Sequence, residues 1–226
     1  MSLVVNTNVG SLNAQRSLTA SASELKTAME RLSSGKKINS AADDAAGFAI
    51  AERMTAQIRG LNMATKNAND GLSMLAVIEN ATNDVTDMLH RMRELAVQAT
   101  NDTNGAKDKE YLNGEVNQLL EEIDRVASQT QYNGQTVLDG TFTSKSIQVG
   151  TEKDQHITFS IDSIATKDLA LKADDDSLLV NLETDASAAL GKISDAIELV
   201  AADRAAYGAL QNRLEYTVSN LSLIHI

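Results

Sequence analysis

The stretch LNMATKNANDGLSMLAVIENATNDVTDMLHRMRELAVQA, residues 61 to 99, decides the reading of this chain. Leu61, Ala64, Ala68, Leu72, Leu75, Ile78, Thr82, Val85, Leu89, Met92, Ala96 and Ala99 follow one another in steps of three and four. Side chains at that spacing share one face of an α-helix, so the stretch is an apolar seam of coiled-coil type about forty residues long. The same alternation returns near the end of the chain at Ala186, Leu190, Ile193, Ile197, Val200, Arg204, Tyr207, Gln211, Leu214 and Val218. Burial of Leu190, Ile193, Ile197, Val200 and Leu214 alone represents on the order of 10 kcal/mol gross, comparable with the whole net stability of a domain at about 5 to 15 kcal/mol. Neither seam is stable wet, and each is the natural partner of the other. The expectation is a mainly α fold: a long antiparallel, coiled-coil-like helical rod whose interior is filled by side chains and leaves little room for a deep pocket.

The remaining segments attach to that rod. Asp43 or Asp44, after the loop SSGKKINSAA, is a candidate start for the long helix because its carboxylate can accept from the first free backbone N–H groups. NDTNG at 101 to 105 is a candidate end. A further helix carries Leu112, Val116, Leu119, Ile123 and Val126 on one side, and QYNGQ closes it; an earlier, shorter helix carries Leu18, Ala22, Leu25, Met29 and Leu32. From Thr136 to Ile161 the apolar period changes to two, at Ile147 and Val149 and again at Ile157, Phe159 and Ile161, which predicts a β-hairpin turning at TEKD. ATKDLALKADDDSLLVN reads as a polar connection. Three regions follow: residues 1–43 as an N-terminal arm helix and loop, 44–220 as the rod with its hairpin at about 136–161, and 221–226 as a tail.

Composition narrows the function. The 226 residues contain no Trp, Pro or Cys and 3% aromatics, and the apolar content is mostly Ala, Leu, Ile and Val, which suits slender helices with narrow seams. Without cysteine there is no disulfide, thiolate catalysis or thiolate metal site. A net charge of -11 disfavours nucleic acid and anionic membrane as partners, since phosphate binding needs clustered Lys and Arg. The first thirty residues lack the basic start and apolar run of a cleaved secretory signal. No apolar stretch approaches the roughly 20 residues that span a bilayer.

Each candidate for chemistry has a blander reading. His90, His156 and His225 are far apart in sequence and form no metal-binding pair of the HExxH kind. SSGKK at 33 to 37 lacks the first glycine of a phosphate loop and follows a helix instead of a strand. Asp174, Asp175 and Asp176 lack the spaced ligands and distal Glu of a calcium loop and read as an acidic turn. The adjacent Asp43 and Asp44 suit capping and the helix dipole better than a catalytic pair. Arg91, Met92, Arg93 and Glu94 read, on composition alone, as a solvated face beside the seam. No enzyme activity, cofactor or metal is expected.

Taken jointly, VNTNVGSLNAQRSL, ERLSSGKKINSAADDAAGFAIAERM, AQIRGLNMATKNANDGLSML, MLHRMRELAVQATN, EEIDRVASQTQYNG and YGALQNRLE resemble bacterial flagellin, in that family's order and over about 1–134 and 183–220. The resemblance is to a compact member without large outer domains. It implies a structural subunit that self-assembles into the flagellar filament, secreted without a cleaved signal through the flagellar type III export apparatus and its chaperone. It also implies an N-terminal arm, near Met1 to Lys37, that pairs with a C-terminal arm only in the filament. In receptor-activating flagellins one face of the core is bound by Toll-like receptor 5. The matched positions here are Arg91, Arg93, Glu94, Leu95 and Gln98, with Leu112 and Glu115 on the next helix, while His90 replaces a common glutamine and Leu119 stands where some members have arginine. A hook-filament junction protein shares the long paired helices and is the alternative; a non-polymerising binding module comes third. Flagellins continue beyond the NRLE segment, and the closing LSLIHI resembles a translated sequencing adapter, so residues from Leu223 at the latest are expected to be non-native. On that basis the N-terminal helix is expected to be poorly anchored and the chain to fold its core without forming stable filaments.

Overall fold

The absence of proline lets helices run without interruption, and the computed structural model, which describes residues 8–173 and 177–225, contains four long ones. They are α1 (Val9–Ser34), α2 (Ala45–Ala99), α3 (Ala106–Gln129) and α4 (Ala186–His225). Between α3 and α4 lie two antiparallel strand pairs, β1 (Gln131–Tyr132) with β2 (Gln135–Thr136), and β3 (Lys145–Gln148) with β4 (His156–Phe159). The chain divides into two compact units, Met1–Arg59 and Gly60–Ile226, with the division inside α2.

In the first unit, local hydrogen bonds shape the loop between the helices. Gly35 ends α1 in the left-handed region, at φ 67°, where a side chain would be strained. The Asp43 carboxylate accepts from the amides of Asn39 and Ser40, both at 3.0 Å, and these bonds hold its pKa below the usual range. Asp44 is the helix cap, accepting from the Gly47 amide at 2.9 Å. The two adjacent aspartates thus divide the work, one folding the loop and the other starting α2.

In the second unit the seam residues converge. Leu75, Ile78, Val85, Leu89, Met92, Ile193, Val200 and Leu214 are buried in one cluster, with Leu72, Leu190 and Ile197 half-buried against it. Thr82, fully buried on this face, satisfies its hydroxyl on the Ile78 carbonyl at 2.9 Å, so a polar residue sits in the seam without an orphaned group. Cross-contacts fix the direction of the pair. Gln211 donates to Glu79 at 3.0 Å, Arg204 reaches Thr86 at 3.5 Å, and a Cβ at Gly71 would lie 3.5 Å from Leu214. Positions rise along α2 as they fall along α4, so the helices are antiparallel.

Three details differ from the sequence reading. On α3 the buried line is Asn113, Val116, Leu120, Ile123 and Ala127, while Leu112, Leu119 and Val126 only flank it. QYNGQ does more than close α3: Asn133 and Gly134, at φ 50° and 76°, form the positive-φ turn of the β1–β2 hairpin. The segment read as a polar connection contributes described residues to the core. Ile164, Leu169, Leu171, Val180 and Leu182 are buried in the main cluster, held by two polar anchors on α3. Asn113 accepts from the Leu182 amide and donates to Glu183, each at 3.0 Å. Asp124 accepts from the Thr166 amide at 2.9 Å and from Lys172 Nζ at 2.7 Å. Asp174, Asp175 and Asp176 fall outside the described residues.

Candidate interaction surfaces

The seam consumes one face of α2 and leaves another to solvent. Arg91 lies there in a small network, its Nε donating to Glu115 of α3 at 2.9 Å and its Nη1 to Glu94 at 3.0 Å. These partners raise the guanidinium pKa, Glu115 contributing most. His90, Arg93, Glu94 and Val97 line a shallow depression beside it. Gln98 is exposed, and its carbonyl accepts from the Asn104 side chain, which folds the α2–α3 turn back on the helix. Of the seven positions matched to receptor contacts, Arg91, Arg93, Glu94 and Gln98 are exposed, and Leu112 and Glu115 are half-buried. Leu95 does not join them. It is 1% exposed within the main cluster, because the step from Met92 to Leu95 continues the three-residue spacing of the seam.

A second surface is apolar. On α1, Leu18, Leu25, Met29 and Leu32 are 71%, 62%, 64% and 86% exposed, and no residue of this helix is buried among the described residues. Ile50, Met54 and Ile58, one turn apart at the start of α2, are exposed as well. Apolar side chains at helical spacing on an open face form a continuous exposed stripe of the kind another helix can cover. The end of α4 carries Leu221, buried, and Leu223, exposed. No helix among the described residues is long and apolar enough to cross a membrane.

Other candidates from the sequence stay apart. His156 is in β4, His90 on α2 and His225 at the end of α4, and no group of three or more metal-ligating side chains converges among the described residues. Ser33 and Ser34 end α1 before the left-handed Gly35, and Lys36 and Lys37 are part of an exposed loop.

Long helices paired through a filled seam, a small hairpin and an open helical stripe define a structural subunit that works through its surfaces. The family model of the bacterial flagellin N-terminal helical region matches residues 5–143. A flagellin of Halalkalibacterium halodurans is 41% identical over 97% of this chain and 80% of its own length. The flagellar filament 33 kDa core protein of Treponema phagedenis is 37% identical over 98% and 82%. Among solved structures, Bacillus cereus flagellin aligns with a TM-score of 0.59 at 32% identity, covering 69% of this chain and 88% of that one. A putative flagellar hook-associated protein from Vibrio parahaemolyticus aligns at 0.66 with 15% identity, over 81% and 94%, a likeness of fold alone. The chain belongs to the flagellin family, the structural subunits of the bacterial flagellar filament.

Proposed function

We propose that residues 1–43 act as the arm that pairs with other helices in the filament, and that 44–220 form the core that packs against neighbouring copies. The exposed stripe of Leu18, Leu25, Met29 and Leu32 supports this reading, since it is stable only when covered. Self-assembly then rests on complementary surfaces in a non-closing arrangement, with no catalytic step. The subunit reaches the outside of the cell through the flagellar export apparatus, escorted by a chaperone. Export is tested by expressing the chain in a flagellin-deficient strain with and without a working apparatus. Secretion only in the former is the expected result, and equal secretion from both contradicts it.

The exposed Arg91–Glu94–Glu115 network, with Arg93 and Gln98, is proposed as a surface bound by host Toll-like receptor 5. Its support is a preorganised, solvent-facing charge cluster over two rigid helices. Replacing both Arg91 and Glu94 with Ala is expected to abolish signalling in a receptor reporter assay while leaving the circular dichroism spectrum and unfolding midpoint in place. Undiminished signalling by the folded double variant contradicts the assignment.

A further inference from the structure

One carboxylate of α4 is poorly matched to its surroundings. Asp203 Oδ2 is shut away from solvent and has no hydrogen-bond partner. The residue as a whole is half-buried and lines an open pocket of about 360 Å³, whose other charged lining residues are the exposed Asp162 and Asp168, from the chain leaving β4, with Thr143 and Ser163 beside them. Among the described residues no lysine or arginine lines it, and neither α2 nor α3 contributes a lining residue. On α4 itself, Arg204 points toward Thr86 of α2, and Tyr207, 5% exposed, accepts the Asp162 N–H on its hydroxyl oxygen at 3.3 Å. Burial, followed by the charge of Asp162, pushes the Asp203 carboxyl above the usual range, and burial, followed by Asp203, pushes the Tyr207 phenol up. A half-buried carboxylate with one oxygen enclosed and without a donor is disfavoured in its ionised form, and the cost falls when it takes a proton.

The chain on the far side of this pocket holds the hairpin. Ile161 and Ile164 are fully buried, and their amides donate to the carbonyls of Phe142 at 3.1 Å and Leu138 at 3.2 Å. Phe142 in turn packs on Phe159 of β4, ring centroids 6.1 Å apart.

We propose that Asp203 is a proton-operated latch between α4 and residues 160–164, seating the β3–β4 hairpin firmly when neutral and loosening it when ionised. The sign follows from linkage. The folded state binds the proton more tightly than the unfolded chain, so stability from this group rises as pH falls through its folded pKa and levels off below the ordinary aspartate value of about 3.9. A latch of the opposite kind, a salt bridge, would weaken over the same fall.

Carbon-13 carboxyl NMR across pH on the intact chain reads the titration of Asp203 directly, and hydrogen-exchange protection of the Asp162 amide, corrected for intrinsic rate, reads the joint. The expected result is an Asp203 midpoint above ordinary aspartate, with Asp162 protection rising as Asp203 takes its proton. Asp162→Asn is expected to lower that midpoint. Asp203→Asn is expected to raise the neutral-pH unfolding midpoint and to converge with the unsubstituted chain in acid. An Asp203 midpoint at or below the ordinary value, or Asp162 protection indifferent to the titration, overturns the proposal even if Asp203→Asn does not fold.

Discussion

Two helical stripes in this chain share a spacing and differ in fate. Along α2, Leu75, Ile78, Val85, Leu89 and Met92 are fully buried; along α1, Leu18, Leu25, Met29 and Leu32 are more than 60% exposed. Periodicity therefore identifies a face and says nothing about whether that face is covered. Coverage requires a partner, and α4 supplies one to α2 through an antiparallel register anchored at Gln211–Glu79 and Arg204–Thr86. The buried seam of the second unit and the exposed stripe of the first come from the same kind of pattern.

The comparison breaks most visibly at a seam leucine. Leu89→Ala is expected to cost about 2–5 kcal/mol in denaturant unfolding, whereas Leu32→Ala on the open stripe changes the monomer by no more than about 0.5 kcal/mol. Comparable losses at both positions would erase the distinction. A smaller effect belongs to the polar anchor Asn113. Asn113→Leu leaves the buried Leu182 amide without its acceptor and is expected to cost about 1–3 kcal/mol, with earlier exchange of the amides over 178–183.

The second anchor sharpens the comparison through pH. At Asp124 burial opposes ionisation, but Lys172 and the two hydrogen bonds from Thr166 outweigh it and hold the carboxyl below the usual range. Its folded pKa is depressed, so it contributes stability above the ordinary aspartate value that is lost as pH falls through the folded one. Asp124→Asn is expected to lower the neutral-pH unfolding midpoint and to flatten the acid limb, a slope opposite in sign to that of Asp203. The smallest effect is expected at the exposed network, where Arg91→Ala changes unfolding by about 0–1 kcal/mol.

Much of this was legible in the residues. The three-four alternation located both long helices and predicted their pairing, and the change to period two located the β3–β4 hairpin. The start of α2 at Asp43 or Asp44 followed from their place before an apolar run, and the bond from the Gly47 amide assigns the cap to Asp44. What escaped has a physical reason in each case. Leu169, Leu171, Val180 and Leu182 have no period because their backbone is irregular, and they are drawn into the core by Asn113 and Asp124, partners about 40 to 70 positions away in sequence. On α3, Leu112, Leu119 and Val126 are as apolar as the residues that won burial, and the deciding neighbour, Asn113, is polar. Leu95 is named with the charged surface only through the family resemblance, yet helical spacing turns its side chain inward. The spacing of the α1 stripe carries no sign of its exposure, since an uncovered seam and a covered one read alike; only the flagellin resemblance led to the expectation of a poorly anchored helix.

The pairing of α2 with α4 is tested most directly by distance. Because the chain lacks cysteine, spin labels introduced by Glu79→Cys with Gln211→Cys report on one pair alone. The account predicts a short distance for that pair and one longer by roughly 24 Å along the helix for Glu79→Cys with Asp195→Cys, at 1.5 Å per residue. A Glu79–Gln211 distance equal to or longer than the Glu79–Asp195 distance would contradict the antiparallel seam.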